Sequence, residues 1–142
     1  MPLSVEIVTV EKTLLQEEGV DEVIAPGIDG QLAVLPQHAP FMTILGPGEL
    51  ILKKGGEETP FVVTGGFFEV LKDKVIVLAD AAERADDIDV ARAEQARERA
   101  RLAIERREGT EDLATLQAAL QRSMIRLRVA ENRRRRRPSQ LR

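Results

Sequence analysis

Val75-Ile76-Val77-Leu78-Ala79-Asp80-Ala81-Ala82-Glu83-Arg84-Ala85-Asp86-Asp87-Ile88-Asp89-Val90-Ala91-Arg92-Ala93 is where this chain changes character. The opening residues are apolar and β-branched, which reads as a strand over 74–79. The closing residues lead with carboxylates and continue with alanine, so a helix is expected just after Asp86-Asp87. Asp89 adds a third carboxylate near the positive end of the helix dipole. Residue types keep to the same division. All sixteen arginines lie at or after Arg84, and all five lysines lie before it. Six of seven prolines fall at or before Pro60 and nine of ten glycines at or before Gly66, so 86–137 holds no proline and only Gly109. The sequence therefore predicts an α+β chain, with an N-terminal antiparallel β-sandwich, or a flattened barrel, followed by a C-terminal two-helix antiparallel hairpin. The expected domains are 1–83 for the sandwich, 84–134 for the hairpin and 135–142 for a basic flexible tail.

Upstream, alternating stretches predict strands near 3–10, 13–17, 22–25, 31–35, 48–53, 59–64 and 66–71. Turn signals separate them: Pro26-Gly27, Asp29-Gly30, Gly46-Pro47-Gly48, Gly55-Gly56 and Lys72-Asp73. Downstream, helix one is expected to reach about Glu108 and end at Gly109, with Thr110 capping helix two. The expected inner faces are Ile88, Ala91, Ala96, Ala100 and Ala103 on helix one, and Leu113, Leu116, Leu120, Met124 and Leu127 on helix two. An alanine face buries little area, so a loosely held, movable hairpin is expected.

Composition removes several function classes. Without cysteine there is neither a disulfide framework nor a thiolate metal site. No apolar run approaches the ~20 residues of a membrane span, and the first residues lack signal-peptide character. A soluble cytoplasmic protein docked to something larger is the expectation. With no tryptophan or tyrosine and four phenylalanines, stacking platforms for nucleic acid are not expected. The net charge of −3 hides an asymmetry. Residues 1–82 hold thirteen acids against five lysines, and residues 83–142 hold eleven acids against sixteen arginines. The second half is thus suited to an anionic ligand or an acidic partner.

Catalysis has little to stand on. The single histidine, His38, sits in Leu35-Pro36-Gln37-His38-Ala39-Pro40 and reads as a loop residue with a structural hydrogen bond. No phosphate-cradling glycine loop is present, so a nucleotide would be held by side chains. Ile88, Arg92 and Arg99 share one helical face, and Arg122 and Arg126 are i, i+4 neighbours on the second helix. In a closed hairpin the four arginines can converge on a polyphosphate, which their planar donors bind bidentately. Glu83 and Asp89 could accept from an adenine amino group, and Ala93 leaves room for a flat ring. The competing reading is a solvated helix with i, i+3 pairs such as Glu94–Arg97 and Glu98–Arg101. The run 133–137 reads as a frayed, solvated tail seeking an acidic surface, phospholipid or nucleic acid, with specific nucleic-acid reading not expected.

Three stretches carry a family resemblance. They are Gly27-Ile28-Asp29-Gly30-Gln31-Leu32-Ala33-Val34-Leu35-Pro36-Gln37-His38-Ala39-Pro40, then Gly65-Gly66-Phe67-Phe68-Glu69-Val70, then Val75 through Glu83. With the hairpin they make nearly the whole chain similar to the epsilon subunits of the bacterial rotary F-type ATP synthase. Ile88-Asp89-Val90-Ala91-Arg92-Ala93 resembles that family's ATP-binding pattern Ile/Leu-Asp-x-x-Arg-Ala. The resemblance implies a ten-stranded sandwich docked on the gamma subunit and the c-ring, peripheral to the cytoplasmic face of the bacterial membrane. It implies a mobile hairpin that holds ATP, with or without Mg²⁺, when folded down. Extended, the hairpin would enter the catalytic alpha–beta ring and block ATP hydrolysis. Glu83, Ile88, Asp89 and Ala93 would then serve the adenosine end, and Arg92, Arg99, Arg122 and Arg126 the phosphates. No catalytic role, metal site or nucleic-acid partner is implied. The family's chain often stops near Asn132, so the arginine run is a departure, expected to strengthen contact with an acidic patch on the beta subunit. The alternative is a β module whose basic coil binds an acidic protein or membrane surface without sensing nucleotide.

Overall fold

Strands form where enclosed and outward side chains alternate. In Leu3–Val8 (β1), Leu3, Val5 and Ile7 are buried while Ser4, Glu6 and Val8 are half-exposed. A computed structural model describes residues 2–106 and 112–136 and repeats this pattern through ten strands. The others are Thr13–Val20 (β2), Glu22–Gly27 (β3), Gly30–Val34 (β4), Phe41–Leu45 (β5), Gly48–Lys54 (β6), Glu57–Val63 (β7), Gly66–Leu71 (β8), Lys74–Ala79 (β9) and Ala82–Arg84 (β10). They form one hydrogen-bonded sheet, ordered β10-β7-β6-β3-β5-β8-β9-β1-β2, with β4 paired to β3. The sheet folds over an apolar core in which Phe61 and Phe68 are fully buried, beside Leu3, Ile7, Leu50 and the valines at 5, 23, 63, 70, 75 and 77.

Two hairpins show how turn chemistry sets register. Lys72 and Asp73 both take positive φ (50° and 62°), the two-residue turn whose twist matches its flanking strands. Gly55 and Gly56 do the same at 59° and 83°, and Gly55 N–H donates to Asp21 Oδ2 at 2.8 Å.

Two strands lay outside the sequence expectation. β5 carries apolar residues in both phases of the alternation, and β10 is only three residues long. One ladder also departs from the antiparallel expectation: β1 and β9 run parallel, with Ser4 opposite Lys74 and Val8 opposite Leu78. The two strands are joined by no hairpin, so turn signals leave their relative direction open.

The chain divides into two compact units, Met1–Arg84 and Ala85–Arg142. The second holds a 3₁₀ turn at Ala85–Asp87, helix α1 over Val90–Arg106 and helix α2 over Leu113–Arg136, with α1 and α2 packed on each other. Helix α2 runs two residues past the expected Arg134. Glu108, Gly109 and Thr110, expected to close the turn, lie outside the described residues. Among the described residues, no helix is long and apolar enough to cross a membrane.

Candidate functional site

The start of α1 is built by Asp89. Its Oδ1 accepts from the backbone N–H of Arg92 at 3.0 Å, and its carbonyl accepts from Ala93 N at 2.9 Å. Asp89 is thus the N-cap; Asp86 and Asp87, the expected capping pair, belong to the preceding 3₁₀ turn. Helix α2 is capped likewise by Asp112, whose Oδ1 accepts from Ala114 N at 3.2 Å. Asp89→Ala should cost the helical unit about 1 kcal/mol, whereas Asp89→Asn keeps an acceptor and should cost little. Far-UV circular dichroism on heating separates the two, and equal melting curves would remove the cap from the account.

The enclosed face keeps Ile88, Ala100 and Leu116 of the expected residues and departs from the expectation at others. Ala93 and Ala100 are buried on α1, with Ile88 buried before it, while Ala91 is exposed. On α2, Leu116, Ser123, Ile125 and Val129 are buried, whereas Leu113 and Met124 face solvent. Ser123 is tolerated inside because its hydroxyl donates to the Leu120 carbonyl at 2.8 Å.

Seven of the eight expected ligand residues belong to the helical unit. Glu83 belongs to the β unit, opposite Val62 in the β10–β7 ladder. Asp89 and Arg92 are joined by the capping bond. Arg92 and Arg99 are exposed on α1, while on α2 Arg122 is exposed and Arg126 half-buried. Arg133 meets Asp86 at the end of the hairpin away from its turn. Along α1 Arg99 stands about 10 Å beyond Arg92, and along α2 Arg122 stands about 6 Å from Arg126. Ile88 precedes the helix, so it shares no helical face with Arg92. Ala93 is wholly enclosed, which leaves its methyl no open room for a ring. Of the two i, i+3 pairs weighed, Glu98–Arg101 forms, and its hydrogen bond from Arg101 holds the Glu98 carboxyl below its usual range. Arg101 also reaches Glu105 at 3.2 Å.

A second candidate region was not read from the sequence. On the outward face of the sheet, Ile44 lies opposite Phe67, Phe67 opposite Leu78, and Leu78 opposite Val8. Ile44, Phe67 and Leu78 are each about half exposed (49%, 54% and 50%). Ile28, whose N–H donates to the Ile44 carbonyl, and Met42 extend the patch. Gly66 lets β8 approach β9 here. It has φ +129°, and a Cβ there would collide with the Leu78 carbonyl. Contiguous exposed apolar surface of this kind is suited to a protein interface. Its sequence signal was apolar residues in both phases, as in Phe67-Phe68 and Val77-Leu78.

The remaining features are structural. His38 Nδ1 donates to the Ala39 carbonyl at 2.7 Å and its ring meets Phe41 edge-on. A cavity of about 450 Å³ in the β unit is lined by Leu15, Leu52, Lys54 and Arg84 among others, and by none of the expected ATP residues. No cluster of metal-ligating side chains occurs among the described residues.

Residues 2–85 match the family profile described as ATP synthase, Delta/Epsilon chain, beta-sandwich domain. Residues 86–131 match ATP synthase, Delta/Epsilon chain, long alpha-helix domain. The chain is 52% identical over 136 residues to the ATP synthase epsilon chain of Herpetosiphon aurantiacus, covering 96% of this chain and 99% of that one. It is 51% identical over 131 residues to that of Chloroflexus aggregans, covering 92% and 94%. Among solved structures, the fold is similar to a chain of the Euglena gracilis mitochondrial ATP synthase (OSCP/F1/c-ring), with TM-score 0.68 at 23% identity over 94% of this chain and 80% of that one. It is also similar to a chain of the Tetrahymena thermophila mitochondrial ATP synthase (central stalk/c-ring), with TM-score 0.64 at 14% identity over 92% and 97%.

Proposed function

This chain belongs to the ATP synthase delta/epsilon family, as a non-catalytic subunit of the epsilon type, and from that premise we propose how its two units divide the work. The β unit docks on the gamma subunit and the c-ring, coupling the two within the central stalk. The hairpin inhibits ATP hydrolysis when it extends into the catalytic alpha–beta ring, and ATP bound to the closed hairpin favours the non-inhibitory state. The subunit is peripheral, carried at the cytoplasmic face of the membrane by the complex.

The observation that carries the docking half is the outward row Ile44–Phe67–Leu78, apolar side chains each about half exposed on one face of the sheet. Nucleotide sensing is supported by four arginines on two packed helices, Arg92 and Arg99 on α1 and Arg122 and Arg126 on α2. A guanidinium hydrogen-bonded to phosphate contributes about 1.5–3 kcal/mol. Arg126→Ala should therefore weaken ATP binding by the full chain at least ten-fold, with Arg126→Lys falling between because it keeps charge but loses the fork. Calorimetric titration with ATP, with and without Mg²⁺, measures this. Absence of binding at millimolar ATP would remove sensing and leave coupling and inhibition. That narrower reading has its own support, since the Asp89 carboxylate is already engaged as a cap.

A further inference from the structure

Arg133 lies past residue 131, where the match to the family's helical domain ends. It nevertheless ties the two ends of the helical unit together. Its Nε donates to Asp86 Oδ1 at 3.0 Å and its Nη2 to Oδ2 at 3.3 Å. This is the two-pronged geometry that a planar guanidinium and a carboxylate favour. The Arg133 side chain is three-quarters covered, at 25% exposed, and its partner stands in the 3₁₀ turn that precedes α1. Its neighbours behave differently. Arg134 and Arg135 turn back to Glu131 of their own helix and are 71% and 75% exposed. Of these three, only Arg133 reaches across the hairpin.

We propose that Asp86 and Arg133 form a latch at the root of the hairpin, which must break before α2 can part from the turn that begins the helical unit. The inference rests on the regulatory reading, in which the hairpin opens. Position gives the pair its leverage. Besides packing on α1, α2 packs on the 3₁₀ turn, and the Asp86–Arg133 pair bridges those two elements. A partly exposed ion pair biases such an equilibrium without locking it, by about three-fold. Salt screens the pair, so the bias fades as ionic strength rises.

The chain has no native cysteine, so spin labels at Ala91→Cys and Arg128→Cys, both exposed positions on α1 and α2, report the interhelix distance cleanly. Pulsed electron paramagnetic resonance on the full chain in the assembled enzyme should show short and long distances. Arg133→Gln, and separately Asp86→Asn, should raise the ratio of long to short about three-fold at low salt. The charge exchange Asp86→Arg with Arg133→Asp should bring it back, and high salt should bring the unaltered pair to the value of the variants. Unchanged ratios in the single variants, with both distances present, would overturn the latch and leave the regulatory reading intact. A single short distance in every protein, Arg133→Asp included, would overturn hairpin opening and the latch with it.

Discussion

Phe67→Glu is expected to abolish stable association with the gamma-type partner while leaving the β unit folded. The two effects separate because Phe67 and Phe68 point to opposite faces of β8. Phe68 is fully buried in the core, whereas Phe67 is 54% exposed between Ile44 and Leu78. A glutamate at 67 would remove an aromatic anchor from the centre of the patch and carry an unpaired charge into the contact. It would also stand two positions from Glu69 on the same outward face. Burying an uncompensated charge in an interface costs roughly 3–5 kcal/mol, or two to four powers of ten in affinity. Co-purification with the partner should fail, while thermal unfolding of the isolated chain should change little. Normal co-purification of the variant would take the Ile44–Phe67–Leu78 face out of the account.

Most of the fold was legible because the chain separates its residue types so sharply. Prolines, glycines and alternation mark the first part of the chain, and arginine and alanine the second, so a border was read between 83 and 84, one residue before the division between the compact units. Where the reading failed, local signal was weak or pointed two ways. Phe41-Met42-Thr43-Ile44-Leu45 is apolar in both phases because one face meets the core and the other makes the exposed patch. Such a stretch has no period from which to read a strand. The parallel pairing of β1 with β9 depends on contacts some seventy residues apart, which no local pattern encodes. In the hairpin, Asp86, Asp87 and Asp89 all suit a cap, and backbone geometry chose Asp89 by inserting a 3₁₀ turn ahead of the helix. Helical counting then put Ala91 and Met124 on the inner faces because small and apolar residues recur at nearly every offset. Burial went to Ala93 and Ser123 instead. The arginines were legible as a set, while the cross-hairpin partner of Arg133 was not, since it lies 47 positions away.

Removing the hairpin should have the largest effect on the assembled enzyme. The β unit has its own closed core, built from β1 through β9, and β10 ends that unit at Arg84. A chain ending at Arg84 retains the whole outward row, together with Arg84 itself, whose guanidinium lies over the Phe61 ring at 5.4 Å. It should therefore fold and assemble. What it loses are the fifteen arginines that follow Arg84, and with them both the expected ATP ligands on the helices and the segment proposed to block the catalytic ring. If that segment adds even 1.4 kcal/mol to the barrier for hydrolysis, its removal releases activity about ten-fold. Docking and inhibition are thereby tested apart on the same protein. The decisive measurement is the rate of ATP hydrolysis by the enzyme assembled with the full chain and with the chain ending at Arg84. The account predicts equal incorporation of the two and several-fold faster hydrolysis with the shorter one. Equal incorporation with equal hydrolysis would contradict it.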